Sequence, residues 1–332
     1  MKNILLITTG GTIASIETEH GMIPSLDGDK LLSYLPEINS LCNVDIISLY
    51  NLDSTNIYYK HWLKIASTIK ENYDKYDGFV ICHGTDTMSY TASALSYLIQ
   101  DSEKPIVLTG AQRSINFDFS DAKTNLLDSF TYACDELSCG VVLIFNGIVK
   151  LGTRARKSRT KSFDAFKSVD FPKLAIVKDN MVIHYITNLK KETKFYDTLN
   201  PKVGLMKLIP GTDEEVLEFM LKKYDAIIIE SFGVGGLPTF DGAYYNDLIN
   251  KYAKLGKIVV MTTQVPNEGS DIAIYKVGHY LKQIPSVLEA YDMTTEAVVT
   301  KLMWVLSLTK DIEVIKELFY KTISNDILFK KD

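Results

Sequence analysis

Short β-branched runs alternate with stretches of helical period along nearly the whole chain, and this alternation limits the possible folds more than any other feature. Ile4 to Ile7, Val44 to Leu49, Phe79 to Cys82, Ile106 to Leu108 and Val141 to Phe145 read as strands buried on both faces of a parallel sheet. Between them, Tyr59 to Tyr73, Ser89 to Gln100 and Asp121 to Glu136 have the pattern of amphipathic helices. Strands that alternate with helices predict βαβ units and an open sheet.

The pattern lapses in the polar stretch Thr187-Asn188-Leu189-Lys190-Lys191-Glu192-Thr193-Lys194. It resumes with Val203 to Leu208, Ala226 to Ile229 and Ile258 to Thr262, and two helices, Glu296 to Leu308 and Ile312 to Lys321, close the chain. The expected fold class is α/β: two α/β domains with open, mostly parallel sheets. The larger N-terminal domain is expected over 1–188, a linker over 189–204 and the smaller C-terminal domain over 205–332. A chain of 332 residues is long for one core and suits two.

Charge and composition exclude several functions. The net charge is -5, and the basic cluster between Lys150 and Lys161 does not continue as a stripe, which argues against a nucleic-acid partner. No run of about 20 apolar residues exists to span a bilayer, so no membrane partner is expected. Ile4 to Ile7 is shorter than the core of an export signal, which predicts a cytoplasmic protein. Cys42, Cys82, Cys134 and Cys139 show no C-x-x-C spacing and read as free thiols. Neither G-x-G-x-x-G nor a P-loop can be written at the first turn, which disfavours nucleotides.

In open α/β sheets ligands sit at the carboxyl ends of the strands, and here those ends are rich in hydroxyls and carboxylates. The first strand runs into Thr8-Thr9-Gly10-Gly11-Thr12. Paired glycines let backbone N–H groups approach a ligand, and a hydroxyl beside them could act as a nucleophile; the same turn could equally cradle a phosphate or simply reverse the chain. After the third strand comes His83-Gly84-Thr85-Asp86-Thr87-Met88, where Thr85 and Asp86 either cap the following helix or receive the charged ends of a ligand. His83 reads as a satisfied, partly buried histidine. Asn51-Leu52-Asp53-Ser54-Thr55 follows the second strand and Thr109-Gly110-Ala111-Gln112 the fourth. In Leu151 to Arg159 one lysine, desolvated, could carry a proton, while most of that basic run reads as a solvated face.

Together these loops resemble the asparaginase/glutaminase family of bacterial type, whose two signatures stand here as Thr9-Gly10-Gly11-Thr12-Ile13-Ala14 and His83-Gly84-Thr85-Asp86-Thr87-Met88. Glu230-Ser231-Phe232-Gly233-Val234-Gly235-Gly236 and Thr300-Lys301-Leu302-Met303-Trp304 are similar to further blocks, so the likeness spans the chain. Tyr90-Thr91-Ala92-Ser93-Ala94-Leu95-Ser96 follows the second signature in the manner of the cytoplasmic type I branch. The resemblance implies hydrolysis of L-asparagine to L-aspartate and ammonia. Thr12 would attack the side-chain amide, and Thr85, Asp86 and Lys157 would form the proton-transfer group. Asp53, Ser54, Thr55, Gly84 and Asp86 would hold the substrate, and Ala111 would present a backbone carbonyl to the leaving amide. The resemblance implies no metal and no organic cofactor. It also implies a homodimer or homotetramer in which another protomer supplies an acidic residue, for which Asp271 is the candidate.

Two positions depart from the family pattern. Many members carry a tyrosine on the loop after the first signature, where Met22 stands here, so Thr12 would need another activating group. Some type I members bind asparagine at a second, allosteric site through an arginine and a cysteine; Glu230 and Val265 match those positions, which predicts simple hyperbolic kinetics. Three other readings remain: a glutaminase-asparaginase of broader specificity, the amidase half of a tRNA-dependent amidotransferase, and a noncatalytic amino-acid-binding relative. The chain begins at its first strand and is acidic, against the added domain and RNA-binding surface expected of the amidotransferase.

Overall fold

The computed structural model describes residues 1–18, 21–24, 28–187, 191–239, 244–274 and 276–329, with side chains at all of these except 14–18, 21–24, 276 and 277. It divides into two compact units, Met1–Asp197 and Thr198–Asp332.

The first unit is built on an eight-stranded sheet. From one edge to the other its strands are Met181–His184, Ala175–Lys178, Ile148–Leu151, Gly140–Phe145, Pro105–Thr109, Gly78–Cys82, Lys2–Gly10 and Cys42–Leu52. The last five are parallel to one another, and the first three pair antiparallel. Gly78–Cys82 and Pro105–Thr109 are buried at every residue, as strands covered on both faces must be. Helices Tyr59–Asn72, Met88–Leu98 and Ala122–Cys134 make the crossovers. Ile4, Leu6, Val80, Val107, Val142, Leu126 and Phe130 fill an apolar cluster of this unit.

Among the parallel strands the spatial order places the first in sequence between the second and the third. The chain therefore leaves the first strand toward one side and later returns to the other, opening a crevice at the carboxyl ends of the first and third strands. That topology brings the two signature loops together.

The expected open, mostly parallel α/β architecture is present, with two local differences. The predicted helix from Ser89 to Gln100 stops at Leu98; Ile99–Gln100 is extended and pairs antiparallel with Lys194–Phe195. The antiparallel strands follow from two tight turns, Asn146-Gly147 and Asp179-Asn180, all four residues having φ between +52° and +69°.

The second unit carries a four-stranded parallel sheet in sequence order: Val203–Lys207, Ala226–Ser231, Ile258–Thr263 and Val287–Glu289. Its helices Glu214–Lys223, Thr295–Leu308 and Ile312–Tyr320 start where Asp213, Thr294 and Asp311 accept N–H groups of the first turn. Lys301 and Asp326 form a fully buried ion pair at 2.6 Å. Cys42, Cys82, Cys134 and Cys139 are not joined in disulfides. No helix among the described residues is long and apolar enough to cross a membrane.

Candidate active site

The two signature loops meet through glycines. Gly10 and Gly11 have φ of +99° and +83°, a region that L side chains rarely adopt. A Cβ on Gly11 would lie 2.4 Å from the Gly84 nitrogen, and one on Gly84 would lie 2.7 Å from Ser54 Oγ. Only glycine permits three loops to approach so closely. The Gly11 N–H donates to Leu52 O at 2.9 Å, and Thr87 Oγ1 donates to Ser54 O at 2.7 Å, closing the junction. Thr12, half-buried, opens a short 3-10 turn beside it.

Thr85, Asp86 and Lys157 are in direct contact. Lys157 Nζ donates to Thr85 Oγ1 and to Asp86 Oδ1, each at 2.7 Å. The lysine ends the strand Ala155–Lys157, which pairs antiparallel with Phe166–Ser168. Because Lys157 occupies the acceptor side of Thr85, the threonine proton turns to Gln112 Oε1 at 3.3 Å. Gln112 is anchored in turn, its Nε2 donating to Ser162 O at 3.2 Å.

Asp53 is exposed, and its Oδ1 accepts both the N–H and the hydroxyl of Thr55 at 2.8 Å, capping the turn that carries buried Ser54. Ala111 is buried at the end of the fourth parallel strand. Asp271 lies in the second unit, where its N–H donates to Val234 O at 2.8 Å. Met22 pairs with Glu17 on a β-hairpin, and its side chain lies outside the described residues.

His83 is fully buried and satisfied. Its Nδ1 faces Gly84 O at 2.7 Å, so that nitrogen carries the hydrogen; Nε2 then accepts from Thr91 Oγ1 at 2.9 Å. Thr91 itself accepts from Trp62 Nε1 at 3.0 Å. Burial pushes the imidazole down to about 4, with the Gly84 carbonyl opposing that shift, so it is neutral near pH 7.

The basic run is less solvated than expected. Arg154 is fully buried, and Lys150 is almost so, its Nζ donating to Phe145 O and Ile148 O. The reason is topological: Ile148–Leu151 is an interior strand of the sheet. Solvated cations begin only beyond Ser158, with exposed Arg159 and Lys161. Gln112, Ser120, Asp121 and Asn125 had no assigned part in sequence reasoning. The short polar side chains of Ser120, Asp121 and Asn125, before and within a helix, suggest ordinary capping, and only the fold shows which loop they face.

Residues 3–190 match the family described as "Asparaginase, N-terminal", and residues 202–319 match "Glutaminase/Asparaginase C-terminal domain". The chain is similar to an L-asparaginase of Thermococcus kodakarensis, 36% identical over 98% of both chains. It is also similar to a component of the glutamyl-tRNA(Gln) amidotransferase of Pyrococcus horikoshii, 34% identical over 98% of this chain and 77% of that protein. Among solved structures, the thermostable T. kodakarensis L-asparaginase superposes with a TM-score of 0.91 over 99% of this chain and 100% of that one, at 36% identity. A probable cytoplasmic L-asparaginase of Campylobacter jejuni gives 0.84 at 26% identity, over 96% and 99%. On these matches, which span both units, the chain belongs to the asparaginase/glutaminase family of amidohydrolases.

Proposed function

We propose that the protein hydrolyses L-asparagine to L-aspartate and ammonia, and that it does so in the cytoplasm as a homo-oligomer. The observation that carries this reading is the pair of 2.7 Å bonds from Lys157 to Thr85 and Asp86. An amide is a poor electrophile, and its hydrolysis needs a positioned nucleophile, donors for the oxyanion and a route for protons. Lys157 draws density from the Thr85 hydroxyl and would compensate negative charge as that hydroxyl gives up its proton, while Asp86 holds the ammonium in place.

Thr12 would add to the side-chain amide carbon. Its proton goes to the amide nitrogen, the C–N bond breaks, and ammonia leaves an ester on Thr12. Water then adds to the ester, passes its proton through the Thr85 group, and regenerates the Thr12 hydroxyl with release of L-aspartate. Asp53 and Asp86 suit an α-ammonium. The Ser54 and Thr55 hydroxyls and the backbone at Gly84 suit an α-carboxylate. Ala111 would offer its carbonyl to the amide N–H, and Asp271 would serve the site of another protomer. No step calls for a metal or an organic cofactor. With Met22 in the tyrosine's place, Thr12 is activated by another group or by water.

The extra methylene of glutamine is worth only about 1 to 3 kcal/mol of discrimination, so some glutaminase activity accompanies this reading. The amidotransferase relatives support a second reading, in which the released ammonia serves glutamyl-tRNA. Ammonia release from L-asparagine and L-glutamine by the purified protein, without and with glutamyl-tRNA, tests both. Turnover of free asparagine unaffected by tRNA supports the first reading. Glutamine turnover that requires the tRNA and a companion protein replaces it with the second, and ligand binding without ammonia release leaves only an amino-acid-binding protein.

A further inference from the structure

Asp121 stands at the N-cap of the helix Ala122–Cys134, where an aspartate ordinarily turns its carboxylate onto the helix's own first N–H groups. Here it makes no such bond. The carboxylate reaches to the loop after the Pro105–Thr109 strand instead. Its Oδ1 accepts the N–H of Gln112 at 3.0 Å and that of Arg113 at 3.1 Å, and its Oδ2 also accepts from Gln112 at 3.0 Å. Ser120 takes over the cap, accepting the Ala122 N–H at 3.0 Å while donating to Arg113 O at 2.9 Å. One turn further on, Asn125 Nδ2 donates to Gly110 O at 2.9 Å and to Asp121 Oδ2 at 3.2 Å, and Asn125 Oδ1 accepts the Asn146 N–H at 2.9 Å.

Gly110 C=O lies immediately before Ala111 and Gln112 N–H immediately after it. Both are therefore held by side chains from the first turn of one helix, with Asp121 at 7% and Asn125 at 1% exposure. The Ala111 side chain is a methyl, so the chemistry its position offers is that of its backbone. A buried carboxylate is costly unless hydrogen bonds replace its water, and burial does raise the Asp121 carboxyl above its usual range against the pull of the Gln112 and Arg113 N–H bonds. A fold that only needed a helix cap would have used the same aspartate without turning it away from the helix.

We propose that Asp121 and Asn125 are positioning residues that aim the Ala111 carbonyl at the departing amide nitrogen. This inference rests on the asparagine hydrolysis proposed above. A reacting group displaced by about 1 Å loses on the order of 100-fold in rate, so a loop held from both sides of one residue is worth its buried charge.

The test compares Asp121→Ala and Asp121→Asn with the wild type in kcat for L-asparagine and in competitive inhibition by L-aspartate. L-Aspartate takes the α-amino and α-carboxylate contacts but has no amide to release. Asparagine at position 121 keeps one oxygen for the Gln112 and Arg113 N–H groups; alanine keeps none. The expected result for Asp121→Ala is a fall in kcat of about 10- to 100-fold with little change in the L-aspartate inhibition constant. Asp121→Asn should recover most of kcat. An alanine variant with wild-type kcat would overturn the proposal, and so would kcat and L-aspartate binding lost in parallel, since the pair would then only support the fold. A wild-type protein that releases no ammonia from L-asparagine overturns the underlying reaction, an outcome distinct from either.

Discussion

Lys157 Nζ lies 2.7 Å from Thr85 Oγ1, although 72 positions separate the two residues in the chain. The hairpin formed by Ala155–Lys157 and Phe166–Ser168 carries the lysine to a threonine that follows the third parallel strand. Lys157→Met keeps the bulk of the stem and removes the donor. Positioned proton transfer typically contributes about 100- to 10,000-fold, and kcat should fall within that range. Asp86 is 60% exposed in its pair with Lys157, so stability should change by no more than about 1 kcal/mol. Steady-state kinetics and a thermal melt of the same sample check both halves; a melt that collapses with kcat would make the lysine structural.

Gly11 offers a sharper steric test. Alanine there would place a methyl 2.4 Å from the Gly84 nitrogen, at a φ of +83° that alone costs about 1 to 2 kcal/mol. Backbone cannot move aside as a flexible side chain can. Gly11→Ala should lose activity and melt several degrees lower, whereas Gly256→Ala, with the same sign of φ and open space around it, should melt slightly lower and keep full activity. Equal behaviour of the two variants would contradict the close approach of the loops.

His83 predicts an acid limb of stability. Burial lowers its pKa from 6.5 to about 4, so the folded protein binds fewer protons than the unfolded chain between those values. The sign follows directly: the contribution is fully present above about pH 6.5 and is lost as the pH falls through about 4. Its size is about 3 kcal/mol. Urea unfolding at pH 7 and pH 4 should show His83→Gln losing less stability than the wild type over this interval. Identical losses would mean that His83 titrates alike in the folded and unfolded states, so that burial does not shift it.

How much of this was legible in the sequence depended on burial. Runs such as Ile4 to Ile7 and Phe79 to Cys82 are covered on both faces, and continuous apolar composition announces them. Met181–His184 alternates exposed and half-buried residues at the sheet edge, which leaves a weak signal beside the continuous apolar runs of the parallel strands. Thr85 and Asp86 were readable as a motif, because short polar groups after a buried strand form a local pattern. Lys157 could be named only through the family resemblance, since Lys150, Arg154 and Lys157 look alike in sequence and differ only in where the strands carry them. Asp121 stands at the start of a predicted helix, and only the fold reveals that its carboxylate faces Gln112 and Arg113.

Glu230 bears on regulation. It is buried, accepts from Thr295 Oγ1 at 2.6 Å and lies 3.9 Å from Lys207 Nζ. A carboxylate committed to its own unit at the position where some relatives place an arginine cannot attract the carboxylate of an effector. Initial rates against L-asparagine should follow a hyperbola, and a clearly sigmoidal curve would refute the absence of a second asparagine site.

The most direct measurement is ammonia release from L-asparagine by the wild type, Thr12→Ser and Thr12→Ala, each checked for folding by its thermal melt. A nucleophilic hydroxyl at position 12 predicts measurable turnover with serine and a loss with alanine of at least the roughly 3 to 4 kcal/mol that a single lost oxyanion donor costs. Turnover by a folded Thr12→Ala at close to the wild-type rate would contradict the assignment of Thr12 and move the attack to another hydroxyl.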